Sequence, residues 1–123
     1  MKNYKIKKFA SESKHISNFS LKETLNFFCA LDDIGKQRYS LGSNLYKLRV
    51  ATNNKGKSGS SRTIIVFSDG KVCYWVHCFN KNEKENFTTR ELKDFKKLSG
   101  ILLSLSESDI KKLIEDKKLF EVT

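Results

Sequence analysis

Between Asp33 and Asp69 the chain has no Asp or Glu, yet Lys36, Arg38, Lys47, Arg49, Lys55, Lys57 and Arg62 all lie there. Three of these cations have a spacing that could do chemistry. Lys47 and Arg49 stand two apart in LYKLRVA, so an extended strand points both to one side. Arg62 opens the next β-rich run, RTIIVF, and Lys81 lies just beyond a third. Cations that converge from adjacent strands bind phosphates, the guanidinium through planar paired donors and the ammonium as a point charge. An Arg so placed can stabilise charge developing on a phosphoryl oxygen. Crowding by like charges favours the neutral form of a Lys, the form that a general base needs. The plain alternative is a solvated basic face that grips RNA without cutting it.

Other chemistries find less support. Ala51, Gly56, Lys57 and Ser58 fit the loose pattern of a phosphate-binding P-loop. That mechanism needs a helix directly after the loop, and here Gly59, Ser60 and Ser61 lead into a strand, so nucleotide hydrolysis is rejected. His15 and His77 have no metal-site surroundings, and no Ser-His-Asp or Cys-His arrangement is visible. His77 reads as a strand residue held by a hydrogen bond, the usual state of a lone His. The carboxylates are scattered over helices, which argues against an acid–base pair. Cys73 and Cys78 should point to opposite faces of one strand, so neither a disulfide nor a metal pair is expected. No metal and no cofactor is called for.

The charge totals agree with a polyanion partner. Net charge is +10, and residues 1–62 carry 13 Lys and Arg against 4 acids, while residues 63–123 carry 11 against 10. A basic half of this kind suits nucleic acid or an acidic protein. The basic N-terminus lacks the apolar segment of a signal peptide, and no apolar run approaches a bilayer span. With an odd number of cysteines, the chain reads as cytoplasmic, with buried thiols and no membrane partner.

The elements that must position the cations follow from periodicity. Residues 1–123 read as one domain, with a core over about 4–105 and a C-terminal helix and tail over 106–123. Tyr4 to Phe9 alternates as a short strand. A helix is expected from a Ser20–Glu23 capping box, with Leu21, Leu25, Phe28 and Cys29 on its stripe and Gly35 as C-cap. Leu45 to Val50 is a strand with Tyr46, Leu48 and Val50 opposite the cation side. The loop over 52–61 is rich in Gly, Ser, Asn and Lys, and its Lys55 and Lys57 could hold RNA.

Arg62–Phe67 and Lys71–Phe79 form a hairpin about Asp69-Gly70. A two-residue turn would set Ile64 opposite Trp75 and Arg62 opposite His77. It would also gather Arg62, Ile64, Val66, Cys73, Trp75, His77 and Phe79 on one face. Two more capping boxes, Thr88–Glu91 and Ser106–Asp109, open helices with staples Phe87/Leu92 and Leu105/Ile110. The fold class is α+β: a small, mostly antiparallel sheet of about four strands flanked by helices, with the Ser20 and Thr88 helices on one face.

LYKLRVA, then GKSGSSRTIIVF, then FNKNEKEN before an amphipathic helix, and finally LIEDKKLFEV, together resemble the RelE/HigB-like toxins of bacterial type II toxin–antitoxin systems. The likeness covers roughly residues 4–122. It implies a RelE/ParE-like sheet that enters the ribosomal A site and cuts mRNA without metal, using the RNA's own 2′-hydroxyl. It also implies an antitoxin partner, often a helix-turn-helix repressor. Carried over by position, Lys47, Arg49 and Arg62 match the family's basic strand residues. Lys81, Asn82 and Glu83 match its turn near the scissile phosphate. Asn82 stands where some relatives have a further Arg, and Phe87-Thr88 where some have a catalytic Tyr. Base stacking would then fall to Phe87, and acid–base work to Lys47 or Lys81. Two other readings stay open at this point. One is a same-fold toxin that inhibits a DNA-processing enzyme such as gyrase by binding it. The other is a non-catalytic RNA- or protein-binding module.

Overall fold

The computed structural model describes residues 1–52, 60–80 and 87–123. The sheet in it grows outward from the expected hairpin. Nine β-rich residues form β4 (Ser60–Ser68) and eight form β5 (Val72–Phe79), which pair antiparallel. Ser68 faces Val72, and the Lys71 N–H donates to the Ser68 carbonyl at 3.0 Å, so the turn holds three residues and not two. Gly70, at φ 73°, supplies the left-handed residue that such a turn needs. The register shifts again between Ile64 and Ile65: Ile65 faces Trp75, but Ile64 faces His77. Val76 is thus the extra residue of a β-bulge.

These two irregularities correct the sequence reading. Arg62 stands opposite Phe79 instead of His77, and Ile64 opposite His77 instead of Trp75. Cys73 and Trp75 lie on the face away from Ile64 and Val66. Cys73 and Cys78 fall in the same core cluster, because the bulge reverses side-chain parity between them. All three cysteines are free, and Cys29, expected inside, is exposed. Burial pushes the Cys73 thiol well above its ordinary pKa, which makes it a poor nucleophile.

Among the described residues the sheet has six strands, not four, in the order β2-β3-β4-β5-β1-β6. β3 (Leu45–Ala51) lies antiparallel to β4, and β2 (Ser40–Gly42) to the start of β3. β1 (Lys2–Ile6) is parallel to β5, and β6 (Leu119–Glu121), formed by the C-terminal tail, is antiparallel to β1. The indole N–H of Trp75 donates to Asn3 Oδ1 at 2.7 Å across the β1–β5 junction.

The helices cover both faces of the sheet, not one. Phe9 of α1 (Lys7–Glu12) and Leu21, Leu25 and Phe28 of α2 (Asn18–Cys29) pack on Leu48, Val50, Ile65 and Trp75. Phe95, Leu98 and Leu102 of α4 (Thr89–Leu103) and Ile110 of α5 (Glu107–Glu115) pack on Leu45, Ile64, Val66 and Tyr74. Two apolar faces on the central strands require a layer on each side.

Local chemistry moved several boundaries. The first strand ends at Ile6, and residues 7–12 are helical. α2 starts from Ser17, whose hydroxyl accepts from the Ser20 N–H, so the Ser20–Glu23 box is not used. Gly35 lies inside α3 (Asp33–Gln37), whose N-cap is Asp32. Carbonyls at and just past the end of α2 are met by a side chain instead: the Lys36 ammonium donates to Cys29 O and Leu31 O and lies over the Phe28 ring. The Thr88–Glu91 and Ser106–Asp109 capping boxes form as expected. Among the described residues no helix is long and apolar enough to cross a membrane.

Candidate nucleic-acid interface

Strand pairing assembles the cations. Lys47 faces Ile64 and Arg49 faces Arg62, while Leu48 and Val50 point into the core beneath α2. The alternation predicted for β3 therefore places Lys47, Arg49 and Arg62 together on the α4 side. Cross-strand partners sit roughly 4.5–5.5 Å apart at Cβ, so the two Arg side chains leave the sheet as neighbours on one face. Among the described residues, neither Arg49 nor Arg62 forms an ion pair. Like charges directly opposite each other destabilise a sheet. An arrangement that packing does not require is one that an anionic ligand would relieve.

Behind Arg62 the sheet is aromatic. Phe79, its cross-strand partner, stacks with His77 at 5.5 Å and 19° and meets Phe87 edge-on at 5.3 Å. Phe95 of α4 closes the group against Phe87 and His77. His77 is anchored as well as packed. Its Nδ1 lies 3.2 Å from Glu12 Oε1, which also accepts from the Cys78 N–H at 3.2 Å. Lys8 stands 3.7 Å from the same carboxylate. Glu12 thereby satisfies an amide of β5 beyond its pairing with β1, and this accounts for His77 as a positioned strand residue. His15 is also engaged, with Nε2 2.8 Å from Ser61 Oγ.

Phe87, proposed from sequence to stack on RNA, is half-buried in the aromatic group. Lys55, Lys57, Lys81, Asn82 and Glu83 lie outside the described residues. Among the described residues, no group of three or more His, Cys, Asp or Glu side chains could hold a metal ion.

Sequence reasoning missed the hollow beside the cations. The pairing of β2 reaches only Tyr46, and the Lys47 N–H donates to Tyr39 O at 2.9 Å. Beyond this point the outer edge of β3 has no strand partner among the described residues. A cleft of about 470 Å³ opens there. It spans that edge: Thr24 and Phe27 of α2, Tyr39 and Leu48 line it from the α2 face, and Lys47, Arg49 and Arg62, which belong to the opposite face, supply the charge. The signal was present in Phe27-Phe28: Phe28 falls on the Leu21/Leu25 stripe, and Phe27, about 100° round the helix from it, lies at the margin of that stripe. A second hollow of about 390 Å³ near the hairpin turn carries Asp33 and Asp69 against Lys36, whose ammonium is engaged with backbone carbonyls, so its charge suits a phosphate less well.

The family model of the RelE toxin of the RelE/RelB toxin–antitoxin system matches residues 1–122. The chain belongs to the RelE toxin family. No curated protein matches it. A RelE-family toxin has an antitoxin as its counterpart, and the α+β fold fits that family with a sheet two strands larger than the sequence suggested.

Proposed function

We propose that this RelE-family toxin is a ribosome-dependent mRNA endonuclease that acts in the cytoplasm and stops translation. The observation that carries the reading is the Arg49–Arg62 cross-strand pair with Lys47 on the same face. Lys47 and Arg49 bind and orient the phosphates, and Arg62 stabilises the charge that grows on the scissile phosphoryl group. The RNA supplies its own nucleophile. The 2′-oxygen attacks the adjacent phosphorus, the bond to the 5′-oxygen breaks, and the products are a 2′,3′-cyclic phosphate and a 5′-hydroxyl. One group must take the 2′ proton and one must protonate the leaving oxygen; Lys47 and Lys81 are assigned to this work. Lys55, Lys57 and Asn82 extend the RNA contact, and Phe87 supports the aromatic wall behind Arg62. The ribosome presents mRNA in its A site. An antitoxin, in this reading a helix-turn-helix repressor, blocks the same face.

The test is to map mRNA 5′ ends after induction. New 5′-hydroxyl ends confined to translated frames are expected. Growth arrest without new ends would favour binding to a DNA-processing enzyme such as gyrase, and harmless expression without antitoxin would favour a plain binding module. Either result overturns the nuclease reading.

A further inference from the structure

We infer that the cleft between α2 and the outer edge of β3 is a nucleobase subsite, in which Phe27 stacks on the base of a nucleotide whose phosphate rests on Arg49 and Arg62. This rests on the RNA-binding reading of the cations. It adds a place for the part of the nucleotide that carries no charge.

The composition of the cleft fits a whole nucleotide better than a bare phosphate. It joins an apolar wall to three cations, and its volume of about 470 Å³ falls in the range of small-ligand pockets, roughly 300–1,000 Å³. Phosphate binding accounts for Lys47, Arg49 and Arg62 but not for an aromatic ring beside them. Single-stranded nucleic acid needs both, a basic track for the backbone and a flat face for the bases.

Phe27 also lacks a packing reason to be aromatic. Phe28, the next residue, is fully buried and meets Tyr39, Tyr46 and Phe67 edge-on. Phe27 is 56 % exposed and stacks with no ring among the described residues. Tyr39 is held by its contact with Phe28, which gives the cleft a second aromatic wall in a fixed place. Thr24, one turn before Phe27, offers a hydroxyl that can donate to or accept from a base edge. Stacking on a ring is tolerant of base identity, so the subsite confers affinity for unpaired strands and little sequence preference.

The test uses a 2′-O-methyl RNA hexamer, which lacks the nucleophile and stays intact. Titrated into labelled protein, it should shift the Phe27 ring resonances by ring current. Phe27→Ala should weaken binding about 5- to 150-fold, the loss of one stacked base, and Phe27→Trp should restore it. A hexamer of abasic riboses should bind wild type and Phe27→Ala equally. If Arg49 and Arg62 respond to the RNA while Phe27 does not, the subsite is wrong and the RNA-binding reading stands. If neither responds up to millimolar RNA, both are wrong. If Phe27→Ala binds RNA normally but loses affinity for antitoxin, the ring belongs to a protein interface and the subsite is overturned.

Discussion

Arg49 on β3 and Arg62 on β4 are direct cross-strand partners, two guanidinium groups on one sheet face with no carboxylate paired to either among the described residues. Such a pair works against the fold that carries it. Arg49→Ala should therefore raise stability by about 0.2–1 kcal/mol, the size of an unfavourable cross-strand pair. Urea denaturation at low and high salt is the check. The gain should shrink as salt screens the wild-type repulsion. A stability difference that does not change with salt would show that the pair is not repulsive.

Arg62→Ala should relieve growth arrest on expression while the protein stays folded. Loss of one charged group at a developing oxyanion lowers turnover by roughly 10²–10³. Growth curves paired with a thermal melt separate lost chemistry from lost structure. Full toxicity in a folded Arg62→Ala protein would remove Arg62 from the mechanism.

Lys36 closes the end of α2, with its ammonium on Cys29 O and Leu31 O. Lys36→Met keeps most of the volume over Phe28 and loses the donors. It should cost about 1.5–3 kcal/mol, the worth of hydrogen bonds from a charged group. Chemical denaturation measures this. An unchanged midpoint would mean that water serves those carbonyls equally well.

Alkali should weaken the fold in a defined window. Burial, and then the nearby Tyr4, push the Tyr74 phenol from 10.0 up to about 12. Below pH 10 the phenol is protonated in both folded and unfolded chains, so its contribution is fully present. From about pH 10 to 12 the unfolded chain ionises first, and stability falls. Cys73, also raised by burial, acts with the same sign from its lower ordinary value. Tyr74→Phe should flatten the part of the slope between pH 10 and 12. Parallel slopes for the two proteins would assign the loss to other groups.

Period-2 alternation read the side-chain directions of β3 correctly, because an edge-to-centre strand without bulges preserves parity along its whole length. The same reasoning failed on β5. A third turn residue and the bulge at Val76 are backbone events that no side-chain pattern announces, and each shifts the partner of Arg62. Helix starts were legible where a Ser or Thr hydroxyl and an acid three residues on form a box, as at Thr88 and Ser106. Ser17 and Ser20 offered the same hydroxyl within one turn, and local chemistry could not choose between them. The cleft was hidden for a different reason: α2 and β3 are remote in sequence, and only their packing makes Phe27 and Arg49 line one cleft.

The place of β1 in the sheet has a consequence for when the toxin exists at all. β1 is made well before either of its two neighbours, β5 and β6. Until Leu119–Glu121 emerges, β1 keeps one row of backbone donors and acceptors unmatched. Pairings this distant in sequence close slowly. The six-stranded sheet is thus complete only once Leu119–Glu121 has paired with β1, and whatever depends on the whole sheet waits for that pairing.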